Sequence, residues 1–281
     1  MRVLITGAFG NVGIALIKEF LARNHNITVF ELENKRTRKI AKKFSKKCSI
    51  AWGNILDKDS IKTTMQDADV IVHLVALIPP KSEENKDLCF KLNVGGTINV
   101  LEAIKETGNR AKFIFTSSAS VMGPTQDKDP PINPYDAPVP TSNYTESKIE
   151  AEQEIKKSGV QYCICRLGGV LSSQAKIDFS IAREAFNMNL ENRLESVLDL
   201  DVATAIVNAS ELFMQGDELH GKILNIGGGK ENGFQIHGRD LSMGLFERMG
   251  FGKLNPDCFS KDDYFLDWMD TKESQSLLKF Q

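Results

Sequence analysis

The first thirteen residues constrain the fold of this chain more than any other stretch. Residues 3–5, Val-Leu-Ile, form a short apolar run typical of a buried parallel strand, and three glycines follow where such a strand turns into a helix. Gly7 permits a tight turn, and Gly10 removes a side chain that would hold a phosphate away from the backbone. Gly13 lets the helix pack close to the strand.

The helix that begins at about Asn11 adds a second attraction for an anion. Its first N–H groups, at Asn11, Val12 and Gly13, have no partner within the helix and lie at the positive end of the helix dipole. A purely structural turn is the alternative interpretation of the glycines. The strand before them and the helix after them favour a dinucleotide site, where this turn holds the pyrophosphate.

Composition excludes several classes of function. The 281 residues are 41% hydrophobic and 26% charged, enough to bury the core of one large domain. A formal net charge of -2 provides no electrostatic attraction for nucleic acid or an anionic membrane. No segment approaches the ~20 apolar residues of a membrane span. The first predicted strand begins at about residue 2 and leaves no room for a signal peptide, so we expect a cytoplasmic protein.

No metal site is predicted. The five cysteines show no metal-ligand spacing with a histidine cluster, and reduced thiols are the simplest interpretation. His73 lies inside an apolar run that reads as a strand, and we interpret it as a core histidine rather than a catalytic base.

The second predicted strand, residues 27–30, indicates which dinucleotide binds. It ends at Glu31, where a carboxylate can accept hydrogen bonds from the adenosine ribose of NAD and would repel the 2′-phosphate of NADP. Basic side chains follow at once, and one of them could reach that phosphate: Lys35, Arg36, Arg38 and Lys39. The basic run is more typical of the solvated face of a helix. NAD is therefore predicted, with NADP as the less favoured alternative.

Two later stretches predict proton transfer. A strand at residues 112–116 runs into Ser-Ser-Ala-Ser, which brings Ser118 to the sheet edge where parallel α/β sheets bind ligands. Tyr144 and Lys148 are four residues apart, on one face of a predicted helix. A phenol that exchanges protons near pH 7 needs its pKa lowered by ~3 units, or ~4 kcal/mol. Lys148 supplies one positive charge for this, and oxidised nicotinamide supplies another. Ser118 would donate a hydrogen bond to the substrate oxygen.

These motifs occur in an order that resembles a known superfamily. Thr-Gly-x-x-Gly-x-x-Gly at residues 6–13, Ser-Ser-Ala-Ser at 117–120 and Tyr-x-x-x-Lys at 144–148 resemble the extended short-chain dehydrogenases/reductases, in particular the NAD-dependent epimerase/dehydratase family. The resemblance covers nearly the whole chain. It implies an α/β Rossmann fold, a doubly wound parallel sheet with the NAD site and catalytic residues in residues 1–170. Residues 171–281 are then mainly a smaller substrate-binding lobe, interleaved with the first domain.

The resemblance also implies further cofactor contacts. Asn54 replaces an acid that, with the apolar residue at Ile55, brackets the adenine ring in the family, and its amide oxygen can still accept a hydrogen bond from adenine. Leu74 and Ala76 follow the fourth predicted strand, beside the expected cofactor path. Asn93 begins an Asn-Val-x-Gly-Thr string and falls at a cofactor-contacting position.

Departures from the family pattern narrow the predicted chemistry. Ala119 and Ser120 provide no carboxylate where 4,6-dehydratases carry an Asp-Glu pair. Gly168 and Gly169 replace the aromatic residue and asparagine that sugar-nucleotide members use near the diphosphate. The proline-rich stretch 124–143 is expected to form a substrate-facing wall.

Three functions follow from these patterns. The first is an NAD-dependent oxidoreductase that transfers a hydride between nicotinamide and a secondary alcohol or ketone. The second is a nucleotide-sugar epimerase with tightly bound NAD, and the third is a non-catalytic regulator that senses dinucleotide. The predicted partner is a small molecule, with a nucleotide sugar as one candidate. The resemblance also implies a homodimer formed through the helix of Tyr144 and the helix before it.

Overall fold

The predicted doubly wound parallel sheet is confirmed. The computed structural model describes residues 1–174, 185–262 and 266–281. Seven strands, all parallel, form the main sheet in the order β3-β2-β1-β4-β5-β6-β9. The strands of this sheet are β1 (Arg2–Thr6), β2 (Asn26–Glu31), β3 (Ser49–Trp52), β4 (Val70–His73), β5 (Lys112–Ser118), β6 (Tyr162–Leu167) and β9 (Lys222–Ile226).

Three further strands form a second, separate sheet. It consists of β7 (Gly169–Leu171), β8 (Arg193–Leu198) and β10 (Gln235–His237), with β8 in the centre. β8 runs parallel to β7 and antiparallel to β10.

Helices cover both faces of the main sheet. The described α-helices are α1 (Asn11–Ala22), α2 (Lys35–Ala41), α3 (Lys58–Met65), α4 (Lys81–Glu84), α5 (Lys86–Phe90), α6 (Gly96–Glu106), α7 (Asn143–Lys157), α8 (Asp199–Gln215), α9 (Gly238–Arg248) and α10 (Lys272–Leu278). None of the helices in the described ranges is long and apolar enough to cross a membrane.

The alternating side chains of β1 explain why the core has two layers. Val3 and Ile5 point to one face of the sheet and pack with buried residues of α1 and α8. Leu4 points to the other face and packs with buried residues of α3 and α6. A strand buried on both faces must be apolar throughout, as residues 3–5 are.

The strand order places the candidate site. The chain builds outward from β1 through β2 to β3, and then returns to place β4 on the other side of β1. The carboxyl ends of β1 and β4 therefore lie side by side at this reversal, with Thr6 beside His73 in the register. Ligands of open α/β sheets bind at such a reversal.

Residues 171–281 contribute to both parts of the molecule. β9 completes the main sheet and α8 packs on α1, whereas β8, β10 and α9 lie in the smaller part. Residues 175–184 and 263–265 of the predicted lobe lie outside the described residues.

One predicted helix is broken into three segments. The sequence predicts one helix over residues 89–105, whereas the structure has α5, a π-helical turn at Lys91–Gly95 and then α6. Gly95 and Gly96 stand at the change from π to α geometry. A Cβ on Gly96 would lie 3.1 Å from the Ile55 side chain, so glycine at this position lets α6 approach Ile55 closely.

Candidate active site

The glycine turn after β1 has the conformation that its sequence predicts. Gly7 has a φ of +72°, where an L side chain is strained, and a Cβ there would lie 2.9 Å from the Val75 nitrogen. A Cβ on Gly13 would lie 2.4 Å from the Ala8 carbonyl oxygen, so only glycine lets α1 pack against the turn. Gly10 differs, because its nearest neighbour to an added Cβ is the Gly7 oxygen at 3.6 Å. The protein's own packing leaves room for a side chain there, and this open space fits the approach of a phosphate.

The start of α1 also fits an anion. Gly10 is its N-cap and supplies no side-chain hydrogen bond, and the first turn contains no acidic residue. By contrast, Asn34, Asp57 and Ser142 cap α2, α3 and α7 through their side chains. The first N–H groups of α1 are thus left for a bound phosphate.

Glu31 lies directly against this turn. Its carboxylate accepts hydrogen bonds from the N–H groups of Phe9 at 3.0 Å and Leu32 at 3.1 Å. Of the four basic candidates, Arg36 reaches the same place, because its guanidinium donates a 3.0 Å hydrogen bond to the Phe9 carbonyl oxygen. Arg38 is instead paired with Glu33 at 2.9 Å. Glu31 and Arg36 therefore both contact the backbone of Phe9, through its N–H group and its carbonyl oxygen respectively.

The predicted adenine residues lie at the next strand end. The Asn54 side chain is exposed, and its carbonyl oxygen accepts a 3.0 Å hydrogen bond from the Leu56 N–H. Ile55 is buried and packs with α3 and α6. A carbonyl oxygen has two lone pairs, so Asn54 keeps one for adenine. The contact of Asn54 and Ile55 with adenine remains a prediction.

Asn93 has a different environment from the one the resemblance implies. Its side chain is buried, and its oxygen accepts a 2.6 Å hydrogen bond from the Leu77 N–H. Its nitrogen donates to the Leu77 carbonyl at 3.1 Å and to Ser147 Oγ at 2.9 Å. These bonds occupy both ends of the amide, so Asn93 holds the segment of Leu74 and Ala76 against α7. The contact of Asn93 with the cofactor remains a prediction, because the amide oxygen keeps a second lone pair.

The structure brings Ser118, Tyr144 and Lys148 together at the carboxyl end of β5. Ser118 is the last residue of β5, and its side chain hydrogen-bonds the Ser120 hydroxyl at 2.8 Å. It also lies close enough to the Tyr144 phenol to lower the pKa of that group. Tyr144 and Lys148 are on the first and second turns of α7. Ser142 starts this helix with a reciprocal capping box to Thr145, which explains why the helix begins where it does.

The pKa of Tyr144 moves opposite to the expected direction. Burial of the phenol raises its pKa to about 12, and the hydrogen bond with Ser118 lowers it by less. The sequence predicts a pKa lowered by Lys148. The reason for the difference is geometric, because the Lys148 ammonium donates a 2.6 Å hydrogen bond to the Thr116 carbonyl oxygen instead. The phenol is therefore protonated at neutral pH in the protein alone.

Lys148 is itself strongly perturbed. Burial lowers its pKa to about 7, although the carboxylate of Glu152 acts in the opposite direction. Its ammonium also lies 4.0 Å from the centre of the Phe115 ring, a favourable cation–π distance. A lysine with a pKa near neutrality is typical of a functional site.

An ion pair behind Lys148 was not predicted from the sequence. Glu152 and Arg166 are both buried, and Arg166 donates to the two carboxylate oxygens at 3.0 and 2.7 Å. Arg166 also donates to the Pro134 carbonyl at 2.8 Å, which ties the proline-rich stretch to β6. The available signal was the spacing, because Glu152 is four residues beyond Lys148 and lies on the same helix face.

Two buried hydroxyls near the site lack a partner. Among the residues that the structure describes, Ser117 Oγ and Thr141 Oγ1 are the buried side-chain oxygens without a hydrogen bond. Ser117 precedes Ser118, and Thr141 lies three residues before Tyr144. Buried hydroxyls are normally satisfied, so these two fit hydrogen bonding by a bound molecule.

The packing of the smaller sheet explains why glycines follow β6. A Cβ on Gly168 would lie 3.0 Å from the Glu195 carbonyl oxygen, and one on Gly169 would lie 3.2 Å from the Leu266 side chain. Glu195 is buried, and its carboxylate accepts hydrogen bonds from the N–H groups of Gly229 and Met269 at 2.7 and 3.2 Å. β8 therefore approaches where the family's aromatic residue and asparagine would stand.

His73 is a core histidine in the structure. It is buried, and desolvation lowers its pKa to about 3. Thr97 donates to the Asn93 carbonyl at 2.7 Å and so accepts the proton of His73 Nε2 at 3.2 Å. His73 Nδ1 then accepts from Thr6 Oγ1 at 2.7 Å. The neutral ring is thus satisfied on both sides.

Comparison with known proteins gives a consistent family. A family model described as the NAD dependent epimerase/dehydratase family matches residues 3–227. The sterol-4-alpha-carboxylate 3-dehydrogenase, decarboxylating, of Homo sapiens is 30% identical over 156 residues, 55% of this chain and 39% of that protein. The UDP-glucose 4-epimerase of Lacticaseibacillus casei is 31% identical over 165 residues, 58% of this chain and 48% of that protein. The chain spans about half the length of these curated relatives, or less.

Solved structures extend the likeness in fold to the whole chain. The UDP-glucuronic acid 4-epimerase from Bacillus cereus, in complex with UDP-glucuronic acid and NAD, superposes with a TM-score of 0.82. The match covers 100% of this chain and 94% of that one at 22% identity. At this identity the likeness concerns the fold.

Proposed function

Because the chain belongs to the NAD dependent epimerase/dehydratase family, we propose that it is an NAD-dependent oxidoreductase acting on a secondary alcohol or ketone. The glycine turn and the start of α1 would hold the pyrophosphate of NAD, and Glu31 the adenosine ribose. Lys148 would hold the nicotinamide ribose. NAD, the cofactor of this family, supplies the hydride donor or acceptor and, when oxidised, a positive charge near the phenol.

The protein's own residues favour reduction of a ketone. With a pKa of about 12, Tyr144 carries its proton at neutral pH and can give it to the substrate oxygen. Ser118 lies beside the phenol and would donate to the same substrate oxygen. Both groups then stabilise the negative charge that develops on that oxygen as the carbonyl is reduced.

Oxidation of an alcohol requires the Tyr144 phenol to be deprotonated. The phenolate would have to form near pH 7, about 5 units below the pKa in the protein alone, which corresponds to about 7 kcal/mol. The hydrogen bond with Ser118 lowers the pKa but does not outweigh burial. The remaining stabilisation must come from the charges of Lys148 and oxidised nicotinamide, so we expect reduction to be faster than oxidation at neutral pH.

The 2.6 Å hydrogen bond from Lys148 to the Thr116 carbonyl, which joins the helix of Tyr144 to the strand that ends at Ser118, carries this proposal. It is tested by following NADH consumption with a panel of small ketones and nucleotide 4-ketosugars. We expect consumption of NADH with at least one ketone. A protein that binds NADH and turns over no member of the panel in either direction would contradict the proposal.

A nucleotide-sugar epimerase is the second candidate, supported by the likeness to the UDP-glucose 4-epimerase of Lacticaseibacillus casei. Such an enzyme keeps its NAD and oxidises and re-reduces the same carbon. Gly168 and Gly169, packed against β8 and Leu266, weigh against a diphosphate contact of the family's type. NAD that copurifies with the protein, together with interconversion of sugar epimers without added cofactor, would favour this candidate.

The third candidate, a regulator that senses dinucleotide without turnover, has no need of a proton-transfer group. Its signature would be tight NAD binding that responds to the redox state, with no reaction across the panel. In each of the two catalytic candidates, residues 171–281 would supply most of the substrate contacts.

We also propose a homodimer through α6 and α7, as the resemblance implies. The exposed positions of these helices include Glu102, Lys105, Glu150 and Gln153, which are charged or polar. A dimer through this surface should therefore depend on ionic strength. Sedimentation at low and high salt tests this, and a monomer under both conditions would contradict it.

A further inference from the structure

Glu83, on the short helix α4, binds the start of the helix that carries Tyr144. One carboxylate oxygen accepts the Asn143 N–H at 2.9 Å, and the other accepts the Tyr144 N–H at 3.1 Å. The Ser82 hydroxyl donates to the second oxygen at 2.8 Å and so orients the carboxylate. The Asn143 side-chain amide donates a 3.3 Å hydrogen bond to the Ser82 carbonyl oxygen.

These contacts complete the N-terminus of α7. The first N–H groups of a helix have no partner inside the helix, and here Asn143 and Tyr144 are satisfied by Glu83. The third, at Thr145, is satisfied by the Ser142 side chain at 3.2 Å. A carboxylate is well suited to this position, since it also faces the positive end of the helix dipole.

A second tie holds the same turn from the other side. Ser147 Oγ donates a 2.7 Å hydrogen bond to the Tyr144 carbonyl and accepts one from the Asn93 amide at 2.9 Å. Asn93 in turn binds both the N–H and the carbonyl of Leu77. The backbone of Tyr144 is therefore held at its N–H by Glu83 and at its carbonyl by Ser147. Glu83 itself belongs to the chain segment that follows β4, and Ser147 is connected to that segment through Asn93 and Leu77. Leu74 and Ala76 lie in the same segment.

We propose that Glu83 is a positioning residue for the Tyr144 phenol. Helix ends fray, and Tyr144 occupies the second position of α7, where a change in backbone geometry moves the ring directly. Clamping this turn to the β4 segment sets the phenol relative to the predicted cofactor path. The effect of Glu83 on turnover rests on the proposed function, whereas its effect on the ring does not.

The test compares variants at two adjacent glutamates. Glu83→Gln keeps the side-chain shape but turns one acceptor oxygen into an NH₂ group, and Glu83→Ala removes both acceptors. Glu84→Gln is the matched control, because Glu84 lies on the same short helix, is exposed, and its carboxylate makes no hydrogen bond or ion pair with any described residue.

The first readout is the Tyr144 ring itself. In protein labelled with ring-¹³C tyrosine, the signal of Tyr144 among the four tyrosines is assigned with Tyr144→Phe. We expect this signal to shift and broaden in Glu83→Gln and more so in Glu83→Ala, with the Tyr162 signal unchanged. An unshifted Tyr144 signal in both variants, or an equal shift in Glu84→Gln, would overturn the proposal. If Glu83→Ala does not fold, Glu83→Gln decides alone.

The second readout is turnover per NADH-binding site, which corrects for any unfolded fraction. We expect kcat to fall about three- to tenfold in Glu83→Gln, the loss of about one hydrogen bond, while the Kd for NADH stays within about twofold. A Kd that weakens as much as kcat falls would indicate a general structural role and overturn the positioning role. If the wild-type protein reduces no ketone, the proposed function fails, and the ring signal still decides for or against Glu83.

Discussion

The ammonium group of Lys148 donates a 2.6 Å hydrogen bond to the main-chain carbonyl of Thr116, two residues before Ser118 on β5. The lysine is therefore bound to the strand and not to the Tyr144 phenol. Its pKa of about 7 means that ammonium and amine are about equally populated near neutral pH. A group with this balance can gain or lose charge when a charged ligand binds nearby, which makes Lys148 the part of the site most sensitive to occupancy.

Replacing Lys148 should stabilise the protein while impairing its function. The pKa of Lys148 is lowered to about 7 in the folded protein but is about 10.4 in an unfolded chain. Burial of this lysine therefore costs stability fully below pH 7, and the cost disappears as the pH rises to about 10.4. We expect Lys148→Met to raise the free energy of unfolding at pH 7 by a few kcal/mol, less about 1 kcal/mol for the lost hydrogen bond to Thr116.

The measurement is urea unfolding of both proteins at pH 7 and pH 10. The advantage of Lys148→Met should shrink at the higher pH, and an advantage that does not change with pH would argue against the lowered pKa. Turnover and NADH affinity should fall together in this variant, because the mutation removes both a charge and the proposed ribose contact.

Replacing Tyr144 should separate chemistry from binding. Tyr144→Phe leaves the glycine turn, Glu31 and Lys148 in place, so the Kd for NADH should stay nearly the same. Turnover should fall by about 10²- to 10⁴-fold, the usual loss for a general acid–base group. Fluorescence titration and steady-state kinetics on the identified substrate provide both numbers. Near-full activity of Tyr144→Phe would mean that another group carries the proton.

Cofactor choice should depend on the balance between Glu31 and Arg36. The wild-type protein should bind NADH more tightly than NADPH, because the Glu31 carboxylate repels a 2′-phosphate. In Glu31→Ser that repulsion is lost while Arg36 remains against the turn, so the preference should move toward NADPH by at least about tenfold. Titration of each apoprotein with NADH and NADPH measures the change.

Two further variants control this experiment. Arg36→Met in the Glu31→Ser background should cancel the gain in NADPH affinity. Arg38→Met should not, since Arg38 is exposed and paired with Glu33. Tighter binding of NADPH by the wild-type protein would reverse the assignment of Glu31.

The protein should lose stability in mild acid because of His73. The pKa of His73 is about 3 in the folded protein, well below its usual value of about 6.5. As the pH falls below 6.5 the unfolded chain takes up a proton that the folded protein does not, so stability declines by about 1.4 kcal/mol per pH unit down to about pH 3. Urea unfolding at pH 7 and pH 5 should show about 2 kcal/mol of this loss.

The contribution of His73 is isolated by comparison with His73→Leu. In this variant the decline from pH 7 to pH 5 should be smaller by this amount, although the variant is less stable at pH 7 because Thr6 loses a partner. An equal decline in the two proteins would show that His73 does not titrate as a buried neutral group.

Local signals were enough to predict the architecture. The apolar run before Gly7 can be a strand buried on both faces and little else, and the parallel order follows once helices alternate with such strands. The order of the glycine turn, Ser118 and the Tyr144–Lys148 pair predicted which strand ends would meet. Each of these inferences depends on residues that are close in sequence, where spacing translates directly into geometry.

The roles of individual polar groups were not predictable in this way. Asn93 is predicted to contact the cofactor, and nothing along the chain indicates that its amide also binds Leu77 and Ser147, which are distant in sequence. Glu83 gave no signal, because nothing in a run of exposed charges indicates that one carboxylate will reach the start of α7.

The sequence by itself determined the parallel sheet and the glycine turn, and it identified the residues that we propose for dinucleotide binding and proton transfer. It could do so because hydrophobic periodicity, glycine geometry and helical spacing are local properties. Only the tertiary structure decided the electrostatics of the site. The pKa of Tyr144 rises and that of Lys148 falls because burial desolvates both groups. Desolvation depends on everything packed around a group, and no pattern along the chain contains that information.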